Sequence, residues 1–120
     1  MNKAKLGSLG EDYAVSYLKN KNYEIIARNW RFKHLEIDII ALYKEELVFI
    51  EVKTRAGDSF CDPIDSITTK KKYNLARAAK AYIEFHQYNQ DIRFDILLIV
   101  CQSDFKIKKI EHIEDAFWFQ

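Results

Sequence analysis

Phe49-Ile50-Glu51-Val52-Lys53-Thr54 sets a carboxylate and an ammonium two residues apart inside a run that otherwise reads as a buried β-strand. Side chains alternate across a strand, so Glu51 and Lys53 share one face while Ile50 and Val52 point to the other. A second acidic strand precedes it, Glu36-Ile37-Asp38-Ile39-Ile40-Ala41-Leu42, and a short connection around Lys44-Glu45 makes the two a hairpin. A two-residue turn at Lys44 and Glu45 and a four-residue loop from Tyr43 to Glu46 give the same register, with Asp38 opposite Glu51. Directly opposed residues have Cβ atoms roughly 4.5–5.5 Å apart, close enough for two carboxylates to share one divalent cation. Without a cation they repel, and one tends to stay protonated. Carboxylate-rich, oxygen-only ligation beside a lysine is also what Mg²⁺ needs for phosphoryl chemistry. The competing reading is a cross-strand Asp–Glu pair on a solvated sheet face, with Lys53 an ordinary surface partner.

The flanking elements must position these residues. From Lys5 to Lys19, Leu6, Leu9, Tyr13, Ala14, Tyr17 and Leu18 recur at three- and four-residue spacing and predict an amphipathic helix. Glu11 has two readings there. It is the second member of a Ser8–Glu11 capping box, or it lies on the helical row of Ala14 and Leu18 and turns partly toward the sheet. Tyr23 to Arg31 reads as a first strand, which with the two acidic strands completes an antiparallel meander of three. The segment 56–63, with Gly57 and Pro63, breaks the pattern as a loop. A second helix starts at Ser66 or Thr69 and runs to His86, with Leu75, Ala79, Tyr82, Ile83 and His86 on one stripe. Lys70, Lys71 and Lys72 occupy its opening turns, where the helix dipole disfavours cations by roughly 0.3–1 kcal/mol each. That placement makes sense if an anion, a phosphate or the acidic cluster, lies nearby.

Arg93-Phe94-Asp95-Ile96-Leu97-Leu98-Ile99-Val100-Cys101 is a near-continuous apolar run, the signature of a strand covered on both faces. A right-handed crossover through the second helix sets it parallel and adjacent to the Glu51 strand. Phe105 to Ile113 offers a final strand, and the aromatics from Ala116 to Phe119 close the core, with base stacking by Trp118 or Phe119 the weaker alternative.

At 120 residues the chain fits one domain, 1–120. An apolar fraction of 48% with 31% charged residues is that of a globular protein and argues against disorder. No apolar run reaches the roughly 18 residues needed to cross a bilayer, and the opening residues lack the hydrophobic segment of a signal peptide, so a cytoplasmic protein without a membrane partner is expected. Cys61 and Cys101 do not make a disulfide framework or zinc cluster, and His34, His86 and His112 match no metal-ligand or catalytic spacing. A net charge of +1 does not by itself mark a nucleic-acid binder, yet basic groups cluster locally at Lys3/Lys5, Lys19/Lys21, Arg28/Arg31/Lys33, Lys53/Arg55 and Lys70–Lys72. Folding can gather them on one side, or they form a mixed solvated surface.

The order of helix, three antiparallel strands carrying Asp then Glu-x-Lys, helix and buried strand resembles the PD-(D/E)xK nuclease superfamily. Nearly the whole chain is similar to the bacterial YraN-type family, grouped with endonuclease-like and Holliday-junction-resolvase-like folds. Seven segments carry the resemblance: Gly7, Gly10-Glu11 and Ala14; Ala27-Arg28-Asn29-Trp30; Glu36 to Ala41; Val48 to Arg55; Arg77-Ala78-Ala79 with Tyr82; Arg93-Phe94-Asp95; and Glu111-His112-Ile113 before Ala116-Phe117. One departure is Leu35, where family members usually carry a glycine before the Glu-Ile-Asp triplet; a glycine at a strand entrance supports a bulge or close approach, so its loss can narrow substrate access.

The resemblance implies an α/β, restriction-endonuclease-like mixed sheet: antiparallel three-strand meander, crossover helix and parallel central strand, with flanking helices. It implies that Asp38 and Glu51 ligate Mg²⁺ or Mn²⁺ with the Val52 carbonyl as third ligand, that Glu11 completes the acidic cluster, and that Lys53 orients or deprotonates the attacking water or stabilises transition-state charge. Lys70, Lys71 and Lys72, with Arg55 and Arg31, are then expected to hold nucleic-acid phosphates rather than read bases. The expected function is a metal-dependent nuclease acting on DNA in preference to RNA, and on structured or branched DNA in preference to a defined sequence. The rival expectations are a nucleic-acid-binding or protein-interaction module that keeps the fold without turnover, and a small structural partner with a solvated acidic pair. Monomer and homodimer both stay open.

Overall fold

The computed structural model describes residues 3–57 and 66–118. Between the two acidic strands, Lys44 and Glu45 both take left-handed φ angles, 47° and 69°, the backbone of a two-residue hairpin turn whose twist suits the strands it joins. Tyr43 therefore pairs with Glu46, and the ladder runs back to Ile39 opposite Ile50. The elements are α1 (Lys3–Asn20), β1 (Glu24–Phe32), β2 (Leu35–Tyr43), β3 (Glu46–Ala56), α2 (Thr69–His86), β4 (Ile92–Cys101) and β5 (Ile107–Ile113). One sheet takes the strands in order β1-β2-β3-β4-β5. Its neighbours are antiparallel except β3 and β4, which run parallel from Leu47 opposite Ile92 to Ala56 opposite Cys101. The expected restriction-endonuclease-like arrangement of meander, crossover helix and parallel central strand is present.

The helices cover opposite faces. Ala14, Val15 and Leu18 of α1 pack with Ile39, Ala41, Val48, Ile50, Leu97 and Ile99, while Leu75, Ala78, Ala79 and Tyr82 of α2 pack with Ile37, Ile40, Phe49 and Phe94. Alternation along β3 is thereby fixed, with Ile50 and Val52 on the α1 side and Phe49 on the α2 side. β4 is buried along nearly its whole length, as a strand with helices on both faces must be.

Both helices end without glycine. Asn22 and Gln87 take left-handed φ angles of 70° and 52°, and the next residues, Tyr23 and Tyr88, donate N–H groups to the carbonyls of Leu18 and Ile83 at 3.0 Å. These bonds satisfy carbonyls the helix leaves free at its end. β3 continues through Ala56, so the loop expected at 56–63 starts later, and its residues from Asp58 onward, with Cys61, lie outside the described residues. β5 starts at Ile107 rather than Phe105, because Phe105 has a left-handed φ of 68° inside a turn closed by Gln102 and Lys106. Beyond β5, Phe117 stacks on Phe94 at 5.2 Å and Ala116 donates its N–H to the Phe94 carbonyl. Trp118 is 53% exposed and touches Phe94 edge-on; Phe119 lies outside the described residues.

α1 approaches β3 closely at Gly10. A Cβ there would lie 2.7 Å from Thr54 Cγ2 and closer still to its hydroxyl, so only glycine lets the helix settle onto the strand that carries Glu51 and Lys53. Gly7, one turn earlier, is exposed with open space around it. Gly10→Ala is expected to destabilise the fold by about 1–3 kcal/mol through overpacking, whereas Gly7→Ala stabilises it by up to about 1 kcal/mol through helix propensity. Urea denaturation midpoints of the two variants check this, and equal effects would show that the Gly10 approach is not tight.

Candidate active site

Asp38 occupies the step of β2 just beyond the last residue paired with β3. Its Oδ2 accepts the Val52 N–H at 2.9 Å, so the side chain takes over where the backbone ladder stops. On β3, Glu51 is 3% exposed and its carboxyl lies within hydrogen-bonding reach of that of Asp38. The hairpin register read from the sequence holds from Tyr43 opposite Glu46 to Ile39 opposite Ile50 and ends one step short of Asp38 and Glu51, whose carboxyls nevertheless come together. Lys71 Nζ lies 2.7 Å from Glu51 Oε1, so the lysine in contact with the pair comes from α2 rather than from Lys53. Thr68 fixes that end of the helix, its Oγ1 accepting the Lys71 N–H at 3.1 Å.

Burial dominates the electrostatics. It pushes the Asp38 carboxyl up to about 7, and repulsion from Glu51 adds to the effect against the Val52 N–H and Lys71. Glu51 is raised too, chiefly by burial, with Lys71 pulling the other way. One lysine does not balance two adjacent carboxylates, one buried and one half-buried.

Two cavities meet here. The larger, about 560 Å³, is lined by Glu11, Asp38, Val52, Lys53, Arg55 and Lys71 among others. The smaller, about 340 Å³, is lined by Leu35, Glu36, Glu51, Lys70 and again Asp38 and Lys71. Leu35, in place of the expected glycine, is buried against the α2-side core and walls the smaller cavity.

Glu11 does not cap a helix start, since α1 begins at Lys3 and leaves Ser8 in its interior. Its Oε1 instead accepts from Asn29 Nδ2 at 2.8 Å and Arg28 Nη2 at 3.2 Å. Asn29 holds a left-handed φ of 51° within β1, level with Asp38, because Arg28 opposes Ile39 and Trp30 opposes Ile37. Glu11 thus borders the cavity with its charge already met, and among the described residues no three acidic, histidine or cysteine side chains converge as a metal cluster. The buried Nε of Arg55 has no hydrogen-bond partner among the described residues. Arg31 pairs with Glu36 across the strands at 3.2 Å, and the Lys72 ammonium sits over Phe117, so of the three consecutive lysines Lys70 and Lys71 line the cavities described.

Residues 10–99 match the family described as "Uncharacterised protein family UPF0102". The chain belongs to the UPF0102 family. This is the YraN-type family of the nuclease-like superfamily. UPF0102 proteins of Chlorobium chlorochromatii and Alkaliphilus oremlandii are each 41% identical to it over 120 residues, covering 97% and 98% of this chain and 93% and 100% of theirs. One from Bacteroides fragilis is 42% identical over 114 residues, covering 94% of this chain and 92% of its own. The matched span holds Glu11, Asp38, Glu51, Lys53 and Lys71 and ends before β5.

This UPF0102 chain carries a second buried acid, to which the sequence pattern assigned no role although it lies in one of the segments that carry the resemblance. Asp95 is fully buried on β4 and accepts from Arg93 Nε at 2.9 Å and the Asp115 N–H at 3.0 Å, with His112 Nε2 at 2.7 Å. Burial alone would raise its pKa, but the bonds from His112, Arg93 and Asp115 outweigh burial and lower it. A lone aspartate in an otherwise apolar central strand was the available signal. His112 therefore has a structural role, tying β5 to β4.

Opposite shifts give opposite pH dependences. Asp38 and Glu51 bind protons more tightly folded than unfolded, so their contribution is present in acid and lost as pH rises, through about 7 for Asp38. Asp95 contributes above the ordinary carboxylate range and its contribution is lost as pH falls. In chelator, the Tm of wild type is expected to fall between about pH 5 and pH 8, and Asp38→Asn to flatten that fall. Thermal melts across the range decide it; a Tm rising toward pH 8 in wild type would contradict the assignment.

Proposed function

We propose that this chain is a metal-dependent phosphodiesterase acting on DNA in preference to RNA, and on structured or branched DNA in preference to a defined sequence. The observation that carries the reading is the buried Glu51 carboxylate with the half-buried Asp38 beside it, at a cavity walled by Asp38, Lys53, Arg55 and Lys71. Perturbed carboxylates in a cleft are a functional-site signature. Their environment also fits a hard divalent cation, since two oxygen-donor groups are desolvated together and one ammonium under-neutralises them.

Asp38 and Glu51 would hold Mg²⁺ or Mn²⁺, with the Val52 carbonyl as a further oxygen. When bound, the ion supplies a Lewis acid that acidifies water and clamps phosphate oxygens. The protein's own groups do the rest. Asp38 is held in place through the Val52 N–H, and Glu51 by its burial. Lys53, at the cavity wall, orients the attacking water or offsets charge developing on phosphate. The buried, unpartnered Nε of Arg55 and the nearby lysines suit backbone phosphates, which favours recognition of shape over bases.

A second reading has its own support. Lys71 already neutralises Glu51, and no third acidic ligand joins the pair among the described residues, as a nucleic-acid-binding module without turnover would allow. A labelled panel of linear, flapped and four-way-junction DNA, incubated with Mg²⁺ or Mn²⁺, separates the two. Wild type is expected to cut, with preference for the branched members, and Asp38→Ala and Glu51→Gln purified identically to lose at least about 100-fold. DNA binding without products from wild type would decide for the silent module.

A further inference from the structure

We infer that Lys71 is a displaceable counter-ion: its ammonium holds the Asp38–Glu51 pair in the metal-free protein, gives way to a divalent cation, and on leaving Glu51 becomes a contact for substrate phosphate. The inference rests on the proposed metal-dependent reading and adds to it a lysine from outside the Glu-x-Lys strand.

The ion pair is asymmetric. Glu51 is 3% exposed and fixed in a central strand, while the Lys71 side chain is 57% exposed. Only the lysine can leave. Its backbone is pinned by the Thr68 cap, but a flexible four-carbon stem lets the ammonium swing without moving the helix. Asp38 and Lys71 are the two residues that line both cavities, so the swing takes the ammonium from the acid pair toward the larger cavity, where Lys53 and Arg55 also lie. Charge drives the exchange. One buried and one half-buried carboxylate are under-neutralised by one ammonium, a divalent ion matches them, and the ion and ammonium repel strongly at a few ångströms in a poorly hydrated site. A cation in the opening turn of α2 also opposes the helix dipole, a cost offset in the metal-free state by Glu51 and in the loaded state by phosphate.

Isothermal titration with Mn²⁺ at fixed pH and salt tests the exchange on the full chain, using wild type, Lys71→Met and Lys71→Arg. Removing the competing charge is expected to tighten Mn²⁺ binding by at least about tenfold in Lys71→Met and to leave Lys71→Arg within about threefold of wild type. Thermal melts give an independent readout. Lys71→Met should melt lower than wild type in chelator, because Glu51 is left buried and unpaired, and gain more from Mn²⁺. Equal or weaker Mn²⁺ binding by Lys71→Met overturns the inference and leaves the metal-dependent reading standing. Absence of Mn²⁺ binding in all three proteins overturns both. For the phosphate contact, binding of a four-way junction is measured against salt with Ca²⁺ in place of Mn²⁺. The log–log slope should fall by about one in Lys71→Met, and an unchanged slope overturns that contact.

Discussion

The parallel pairing of β3 with β4 is the constraint on which the rest depends. Parallel neighbours cannot be joined by a tight turn; the chain must leave the sheet, cross one face and return. α2 is that crossing, and it commits one face to helix; α1 then covers the other. With both faces covered, the middle strands are dry, and any polar side chain on them must find its partners inside the protein. Glu51 and Asp95 are the two buried acids this leaves on the central strands. Their different fates divide the molecule into a structural and a chemical part.

Asp95 is fully provided for. Arg93, His112 and the Asp115 backbone surround it, and Tyr23 accepts from Arg93 at 2.6 Å, so the network reaches from β4 to the end of α1 and holds β5 against the sheet. Its charge is stabilised, and nothing about it invites a ligand. The Asp38–Glu51 pair is the opposite case. The same functional group, as deeply desolvated at Glu51, has another carboxyl beside it and one exposed lysine to balance both. A site short of positive charge lies at the edge of the cavity that also holds the Arg55 Nε, unpartnered among the described residues, and such departures from satisfied buried groups cluster where function is.

Much of this was legible from residue order. The hairpin register follows from arithmetic, because an alternation of period two and a turn centred on Lys44-Glu45 fix the ladder as far as Ile39 opposite Ile50; beyond it Ile37 and Ile39 pack on opposite faces, and the step at Asp38, where its side chain takes the Val52 N–H, was not legible. The apolar run of β4 and the helical stripe of α2 together specified the crossover. Other features depended on phase and approach, which a pattern does not carry. Lys70, Lys71 and Lys72 differ by about 100° each around the helix axis, and only the docking of α2 on the sheet decides that Lys71 meets Glu51 while Lys72 covers Phe117. Gly10 looks like an ordinary helical glycine until the distance to Thr54 is known. Glu11 matched a capping box because the spacing is real; the helix simply starts five residues earlier.

The two helices contribute different mechanical properties to the site. On the α1 side, Gly10 brings the helix against β3, and Glu11 is locked by Arg28 and by the left-handed Asn29 at the level of Asp38. On that wall the Glu11 charge is paired with neighbours on a packed strand. On the α2 side, the charge that meets Glu51 sits at the end of an exposed, unbranched side chain. In the proposed exchange, strand-held carboxylates opposite an exposed ammonium would keep the cradle intact, since the change would cost side-chain motion and no repacking of the sheet. A Lys71 packed as Arg93 is packed against Asp95 would make the pair a second structural knot; under the proposed exchange, its exposed stem is what lets the ammonium leave Glu51.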